Sequence, residues 1–310
     1  MALRPYALLP RQYDERKVLA TTVDAWGRAL WLICEEVCFP YRWRGRDVAR
    51  PARLPFDALL VISDGARIRE RTLHGVAVEP AALDALPRGG VILHGRGLPG
   101  ERNGQVFGPN GRPLRRFALG SHLLHLVADR RSNVWTGYAD EGIFGGDPVS
   151  SGALVRWDAR GNRVSDFRPP EPRRMVGEIS AVNVTDSVVR AACPPGYPYF
   201  EQRVGEPLRI RELPVVAPYA FVVAGERLLL LGARERGTGH TTHLRTVHHC
   251  RLTDDGAVIV DRGELTFPNG NPVNHYPRPV CRGPHLYLHT HRSLRQWYRL
   301  TLPGQGARDG

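Results

Sequence analysis

The 310-residue chain contains one lysine, Lys17, two methionines and five cysteines. An odd, sparsely spaced set of cysteines makes no disulfide framework. No apolar run reaches the ~18 residues of a membrane helix. The first twenty residues, interrupted by Pro5, Pro10 and several charges, contain no signal-peptide core. The phosphate-cradling GxxxxGK[ST], the zinc motif HExxH and the serine elbow GxSxG are all missing. These absences argue against P-loop hydrolysis and nucleophile-elbow hydrolysis. They lead us to expect a cytoplasmic protein with reduced thiols, no membrane partner and no cofactor.

Glycine and proline are plentiful instead, at 33 and 26 residues, which favours many turns over long helices. The net charge of +12 is carried almost wholly by arginine. An arginine skew with abundant Ala, Gly and Pro is what a GC-rich coding sequence produces, and phosphate binding needs charge clustered on one face. The one candidate cluster is Arg42, Arg44, Arg46, Arg50 and Arg53, beside Tyr41 and Trp43. In an extended strand the first three would share a face, but the cluster is read as a solvated edge or loop, Pro40, Pro51 and Pro55 suiting a loop, and nucleic acid is not expected as a partner.

Helical periodicity is weak everywhere, with Glu79 to Leu86 the one fair candidate. Six segments share a turn followed by a short apolar strand: RALWLICE (28–35), GVILHGRG (90–97), NVWTGYAD (133–140), SVVRAACP (187–194), RLLLLGAR (227–234) and HLYLHTHR (285–292). Further strands flank several of them, as in GALVRWD, ARGN, RVSDF. A unit of about fifty residues with four antiparallel strands is one propeller blade. The expectation is an all-β single β-propeller over residues 1–310. Six blades are expected, five or seven being the main alternatives and a β-sandwich pair the competing architecture. Residues 1–15 would supply a closing strand and 303–310 a flexible tail. The long first gap leaves room for an extra element.

The third unit, VWTGYADEGIFG followed by SGALVRWDARGN, resembles an uncharacterised actinobacterial β-propeller-like family with a DEG[VI]FG segment, here Asp140 to Gly145 and then Gly152 to Arg156. Arg96 and Asn103 match the family's Gly-Ala-Arg and Asn-Ala stretches, and Ala181 to Val184 its Ala-Leu-Asn-Val. The chain departs from the family at CPPGYPYF and GSHLL. A fainter similarity is to cofactor-free microbial Pictet–Spenglerases, which condense a tryptophan-like amine with an aldehyde.

If all six repeated strands are second strands, their C-terminal ends open on one mouth. There lie Glu35, Arg96, Asp140, Arg234 and His291, with Glu36, Glu141 and Glu235 just beyond. Arginine can clamp a carboxylate bidentately, and a partly buried acid can hold a raised pKa. The candidate catalytic residues are therefore Glu141, Asp140, His125 and His122; Arg96, Asn103, Arg234, Glu35 and His291 are candidate substrate-binding residues. His122 and His125 are placed on the innermost strand of their blade. Neither Cys34 and Cys38 nor the alternating His289 and His291 complete a metal set, so no metal is assigned. The expected partner is a small molecule bearing a carboxylate, with a homodimer left open. Acid–base catalysis without a cofactor is the leading function, with a Pictet–Spengler-type condensation as its specific form. A non-catalytic propeller presenting a protein- or ligand-binding face is the alternative.

Overall fold

The computed structural model describes residues 1–35, 38–43, 46–51, 53–167, 176–186, 188–236, 245–273, 279–290 and 293–304; of 38–43, 46–51, 233 and 234 it describes the backbone alone. The protein is nearly all sheet, with 57% strand and 5% helix. Strand β1 (Arg4–Leu8) precedes β2 (Lys17–Val23) and β3 (Ala29–Cys34). A two-stranded hairpin, β4 (Cys38–Trp43) and β5 (Arg46–Pro51), is inserted before β6 (Phe56–Ser63) and β7 (Ile68–Val76). Next come β8 (Glu79–Ala85), β9 (Val91–Arg96), β10 (Gly104–Phe107) and β11 (Pro113–Phe117), then β12 (Leu123–Ala128), β13 (Val134–Tyr138), β14 (Leu154–Trp157) and β15 (Arg163–Asp166). A single-turn helix, α1 (Asp140–Ile143), follows β13.

The remaining strands are β16 (Ala181–Thr185), β17 (Val188–Ala192), β18 (Tyr199–Arg203) and β19 (Arg209–Arg211), then β20 (Val215–Ala224), β21 (Arg227–Glu235), β22 (Thr246–Leu252) and β23 (Ala257–Glu264). Last are β24 (Val280–Arg282), β25 (His285–Thr290) and β26 (Ser293–Thr301). Four separate antiparallel sheets run β2-β3-β6-β7, β8 to β11, β12 to β15 and β20 to β23. The eight-stranded sheet contains two more such runs, β16 to β19 and β24-β25-β26-β1, joined by one parallel bridge, Asn183 to Cys281. The four-stranded meander is therefore the building block. All six repeated segments are second strands within it.

The chain forms two compact units, one of residues 7–167 and 291–296, the other of 1–6, 168–290 and 297–310. In both, burial falls steeply across each sheet. All six residues of β3 and all five of β13 are buried, whereas β7, β11, β15 and β23 are largely exposed. A strand covered on both faces reads as a continuous apolar run, which is why the second strands stand out in the sequence. Trp31 on β3 is fully buried, and its indole Nε1 donates to the Leu294 carbonyl at 3.0 Å.

Four of the first strands are bent. Register shifts fall at Val18/Ala20, Pro80/Ala82, Leu123/His125 and Pro218/Ala220, a β-bulge near the start of β2, β8, β12 and β20. A bulge brings the bent strand's neighbours inward, and two second strands answer with glycine. A Cβ on Gly95 would lie 2.6 Å from Val78 Cβ, and one on Gly232 2.4 Å from Val215 Cγ1. Hairpin turns are closed by aspartates. Asp129 Oδ1 accepts from the amides of Arg131 and Asn133, and Asp158 repeats the pattern with Arg160 and Asn162.

Two sequence expectations need correction. Glu79 to Ala85 forms β8 rather than a helix, because its backbone pairs with β9 from Glu79↔Arg96 to Ala85↔Val91. Arg42, Arg46 and Arg50 lie in a hairpin rather than a loop, and Arg44 lies outside the described residues. Arg42 pairs with Asp47 near the end of β4, while Arg46 opens β5, so the first three arginines do not share one strand; proline is tolerated in such a two-stranded edge element.

Buried side-chain amides tie sheets together. Asn183 on β16, fully buried, donates to the carbonyls of Phe221 (3.1 Å) and Gly283 (2.9 Å) and accepts from the Gly283 amide (2.8 Å). Removing it leaves the Gly283 amide without its acceptor and takes a donor from two carbonyls, of which that of Gly283 still accepts from the Val223 amide at 2.9 Å. Asn183→Ala is expected to cost about 3 kcal/mol in a urea titration, the desolvation cost of unsatisfied groups. Val258→Ala, on the exposed β23, should change stability by less than about 0.5 kcal/mol. A cost below about 1 kcal/mol for Asn183→Ala would contradict the clamp role.

Candidate functional site

The residues singled out at the strand ends fall in different surroundings. Asp140 and Glu141 form the exposed first turn of α1, where Asp140 Oδ1 accepts from the Glu141 amide at 3.1 Å. Both carboxylates stand in solvent, which corrects the partial burial expected of the pair. Asp147 anchors this segment from beneath, buried, accepting from the Ser121 amide at 2.8 Å and the Ser150 hydroxyl at 3.1 Å. His122 is exposed with φ of 52°, its carbonyl taking the Ala139 amide at 2.9 Å, so it lies beside α1 and just before β12. His125 lies on β12 directly after the bulge, half-buried, opposite Gly137.

Arg96 Nη1 pairs with Glu79 Oε1 at 2.6 Å, across the β8–β9 ladder. Asn103 is buried and committed to backbone: Oδ1 accepts from the Leu119 amide at 2.9 Å and Nδ2 donates to the Gly120 carbonyl at 2.7 Å. It braces the entry to β12, with His94 Nε2 3.3 Å away. Glu35 is exposed and pairs with Arg16. Arg234 is placed by its backbone in β21, opposite Val216; its side chain, along with Glu36, His291 and the loop histidines His240, His243 and His275, lies outside the described residues. Glu35, Arg96 and Asp140 belong to one unit, Cys193 and Arg234 to the other.

The end of β21 holds a group that the sequence only hints at. Glu235, its last residue, is 8% exposed. Arg262 on β23 grips it bidentately, Nε to Oε1 at 2.5 Å and Nη2 to Oε2 at 2.8 Å. His248 on β22 stands between these strands, in register with Leu230 and with Arg262. Its imidazole is fully buried, with Nε2 3.3 Å from Glu235 Oε1. The hydrogen bond from Arg262 keeps the Glu235 carboxyl below the usual range, against a smaller opposing effect of burial. Burial pushes the His248 pKa below its ordinary value, and the neighbouring Glu235 charge only partly offsets it. A neutral histidine thus sits against an ionised carboxylate. Proton-transfer chemistry uses such perturbed pairs, and so do structural ion-pair networks.

A second feature of the same unit is an open cleft of about 760 Å³, lined by residues including Arg190, Glu201, Arg211, Val223, Glu226 and Asp254. It lies at the other end of β21, beside the Gly225–Glu226 turn. Among the described residues no group of three His, Cys, Asp or Glu side chains could hold a metal ion. His289, half of the alternating pair, packs edge-on against Trp297 with centroids 4.8 Å apart. No helix among the described residues is long and apolar enough to cross a membrane.

No protein-family model and no curated protein matches the sequence. Among solved structures, Hsv2 of Kluyveromyces lactis is similar at 7% identity and TM-score 0.52, over 88% of this chain and 71% of that one. Virginiamycin B lyase from Staphylococcus aureus is similar at 14% identity and TM-score 0.48, over 96% and 98%. The WD40 β-propeller domain of Doa1 is similar at 11% identity and TM-score 0.42, over 96% of both chains. At these identities likeness speaks to fold alone. With its four-stranded meanders, the chain is a β-propeller protein.

Both perturbed groups at Glu235 act in the same direction on stability. A histidine with a depressed folded pKa binds its proton more readily when unfolded, so stability is lost as pH falls through the unfolded value of about 6.5. A carboxylate with a depressed folded pKa gives stability above its unfolded value, and that stability is lost as pH falls through the folded one. Thermal melts should therefore drop from pH 7.5 to pH 5, and His248→Gln should flatten the part of the loss that begins near pH 6.5. An unchanged pH profile in His248→Gln would show that His248 is not held neutral by burial.

Proposed function

We propose that the chain is a β-propeller enzyme that moves protons on a carboxylate-bearing small molecule at the group formed by Glu235, His248 and Arg262, with no resident cofactor. The observation that carries this reading is the bidentate hold of Arg262 on Glu235 beside a buried, neutral histidine. The Arg262 side chain is 56% exposed, so its guanidinium is free to turn to an arriving carboxylate, which it matches in geometry. Once Arg262 engages substrate, Glu235 loses the hydrogen bonds that hold its pKa down and becomes a stronger base. Glu235 is the group that touches substrate. His248, behind it, is a positioning residue that keeps the carboxylate oriented and steadies the proton it gains.

The specific reaction proposed is the condensation of a tryptophan-like amine with an aldehyde, which the resemblance to Pictet–Spenglerases implies. Amine and aldehyde join with loss of one water. Glu235 takes the ammonium proton, returns it to the departing hydroxyl, and later takes the proton released from the ring carbon as the new C–C bond forms. Incubation with tryptophan-like amines and a panel of aldehydes, followed by mass spectrometry, should give products at the summed mass less water. Glu235→Gln should lower turnover by roughly 10²-fold or more, while Arg262→Met should act mainly on KM. Absence of product across the panel would favour the non-catalytic propeller, and full activity in Glu235→Gln would remove Glu235 from the chemistry.

A further inference from the structure

The cleft at the opposite end of β21 has the features of a ligand site of its own. Its floor is built by β17, β18 and β19. Arg190 Nε binds Glu201 Oε2 at 2.8 Å, and the Tyr199 hydroxyl donates to the same oxygen at 3.2 Å. Arg211, on β19, is held in a fixed pose. Its Nε donates to the Thr253 carbonyl at 2.9 Å, and its guanidinium carbon lies 5.8 Å from the centroid of the Tyr199 ring. Arg211 lines the cleft; its Nη1 is enclosed by protein, and Nη2 is the guanidinium nitrogen left open to a ligand. On the floor strands Arg190, Arg203 and Arg211 line the cleft with one carboxylate, Glu201; Arg203 pairs with Glu206 at 3.2 Å, and the floor still carries positive charge in excess. Burial alone would raise the Glu201 pKa, yet its carboxyl lies below the usual range because of Arg190, with Arg211 adding to the effect.

The rim carries the opposite sign. Glu226, at the β20–β21 turn, and Asp254, at the β22–β23 turn, are exposed and line the cleft, and neither forms an ion pair among the described residues. Val223 and Ala224 give the wall between rim and floor an apolar face. A volume of about 760 Å³ lies within the range of small-molecule sites. We infer that this cleft binds a zwitterionic amino-carboxylate, its carboxylate on Arg211 at the floor and its ammonium toward Glu226 and Asp254 at the rim. The site is separate from the Glu235 group. Both ends belong to one strand whose eight steps from Arg227 to Glu235 span roughly 26 Å at about 3.3 Å per residue.

Calorimetric titration with a series of ω-aminocarboxylates, from glycine to 8-aminooctanoate, tests this directly. One member of the series should bind, its ω-amino amide should bind at least about tenfold more weakly, and the simple carboxylate lacking the amine should also be weaker. Arg211→Met should abolish binding. Because Arg211 also braces Thr253, Ala224→Phe serves as a second variant that fills the cleft without breaking a hydrogen bond, and it too should abolish binding. No heat from any member at 10 mM, equal binding of the amide, tighter binding of inorganic phosphate, or unchanged binding in both variants would overturn the proposal. Neither variant touches Glu235, so condensation activity should survive in both; the two readings thus fail separately.

Discussion

Burial of the second strand on both faces is the constraint from which the rest of the architecture follows. Such a strand carries little charge along its length: its residues run as ALWLIC in β3 or LLLL in β21, the mid-strand Arg190 of β17 is paired with Glu201 at 2.8 Å, and charge otherwise gathers where the strand leaves the core. Arg96 and Glu235 both occupy that position, as the last residues of β9 and β21. The same burial forbids unpaired backbone groups between neighbouring sheets. Asn183 and Asp84 meet that need with side-chain oxygens and nitrogens; Asp84, fully buried on β8, accepts from the Ala128 amide on β12 at 2.6 Å. The bulges of the first strands belong to the same system, since Gly95 and Gly232 give room for the bent neighbour.

This constraint also explains what could be read from the residues alone. Strands buried on both faces leave continuous apolar runs, so all six second strands were visible, and with them the all-β meander. First strands such as β2, β8 and β12 are half-covered and bulged, which breaks their two-residue alternation; EPAALDA of β8 consequently looks helical, with Pro80 hidden at a bulge. The inserted β4–β5 hairpin was obscured by Pro40 and Pro51, which look like loop residues until only two strands are seen to pair.

The chemistry was less legible than the fold. Glu235 could be placed beyond a strand end, but its partners come from the next two strands, and cross-strand register decides that His248 and Arg262 meet it. Nothing in the spacing of 235, 248 and 262 announces the group. The opposite error affected Asn103, which carries a residue type suited to ligand binding but is fully used in holding Leu119 and Gly120. Asp140 and Glu141 look like a coupled acid pair in sequence, yet one turn of helix leaves both in solvent, where neighbouring charges are screened. Strand β21 thus links two electrostatic designs, an ionised acid held by arginine at one end and an arginine-lined floor at the other.

Central to the chemistry is a neutral His248 lying against an ionised Glu235. Proton NMR titration of the His248 ring in the intact protein measures this, with Glu235→Gln as the comparison. The midpoint is expected below the ordinary 6.5, moving lower still in Glu235→Gln because the carboxylate that favours the charged imidazole is gone. A midpoint at or above 6.5, or one that Glu235→Gln leaves in place, would contradict this arrangement.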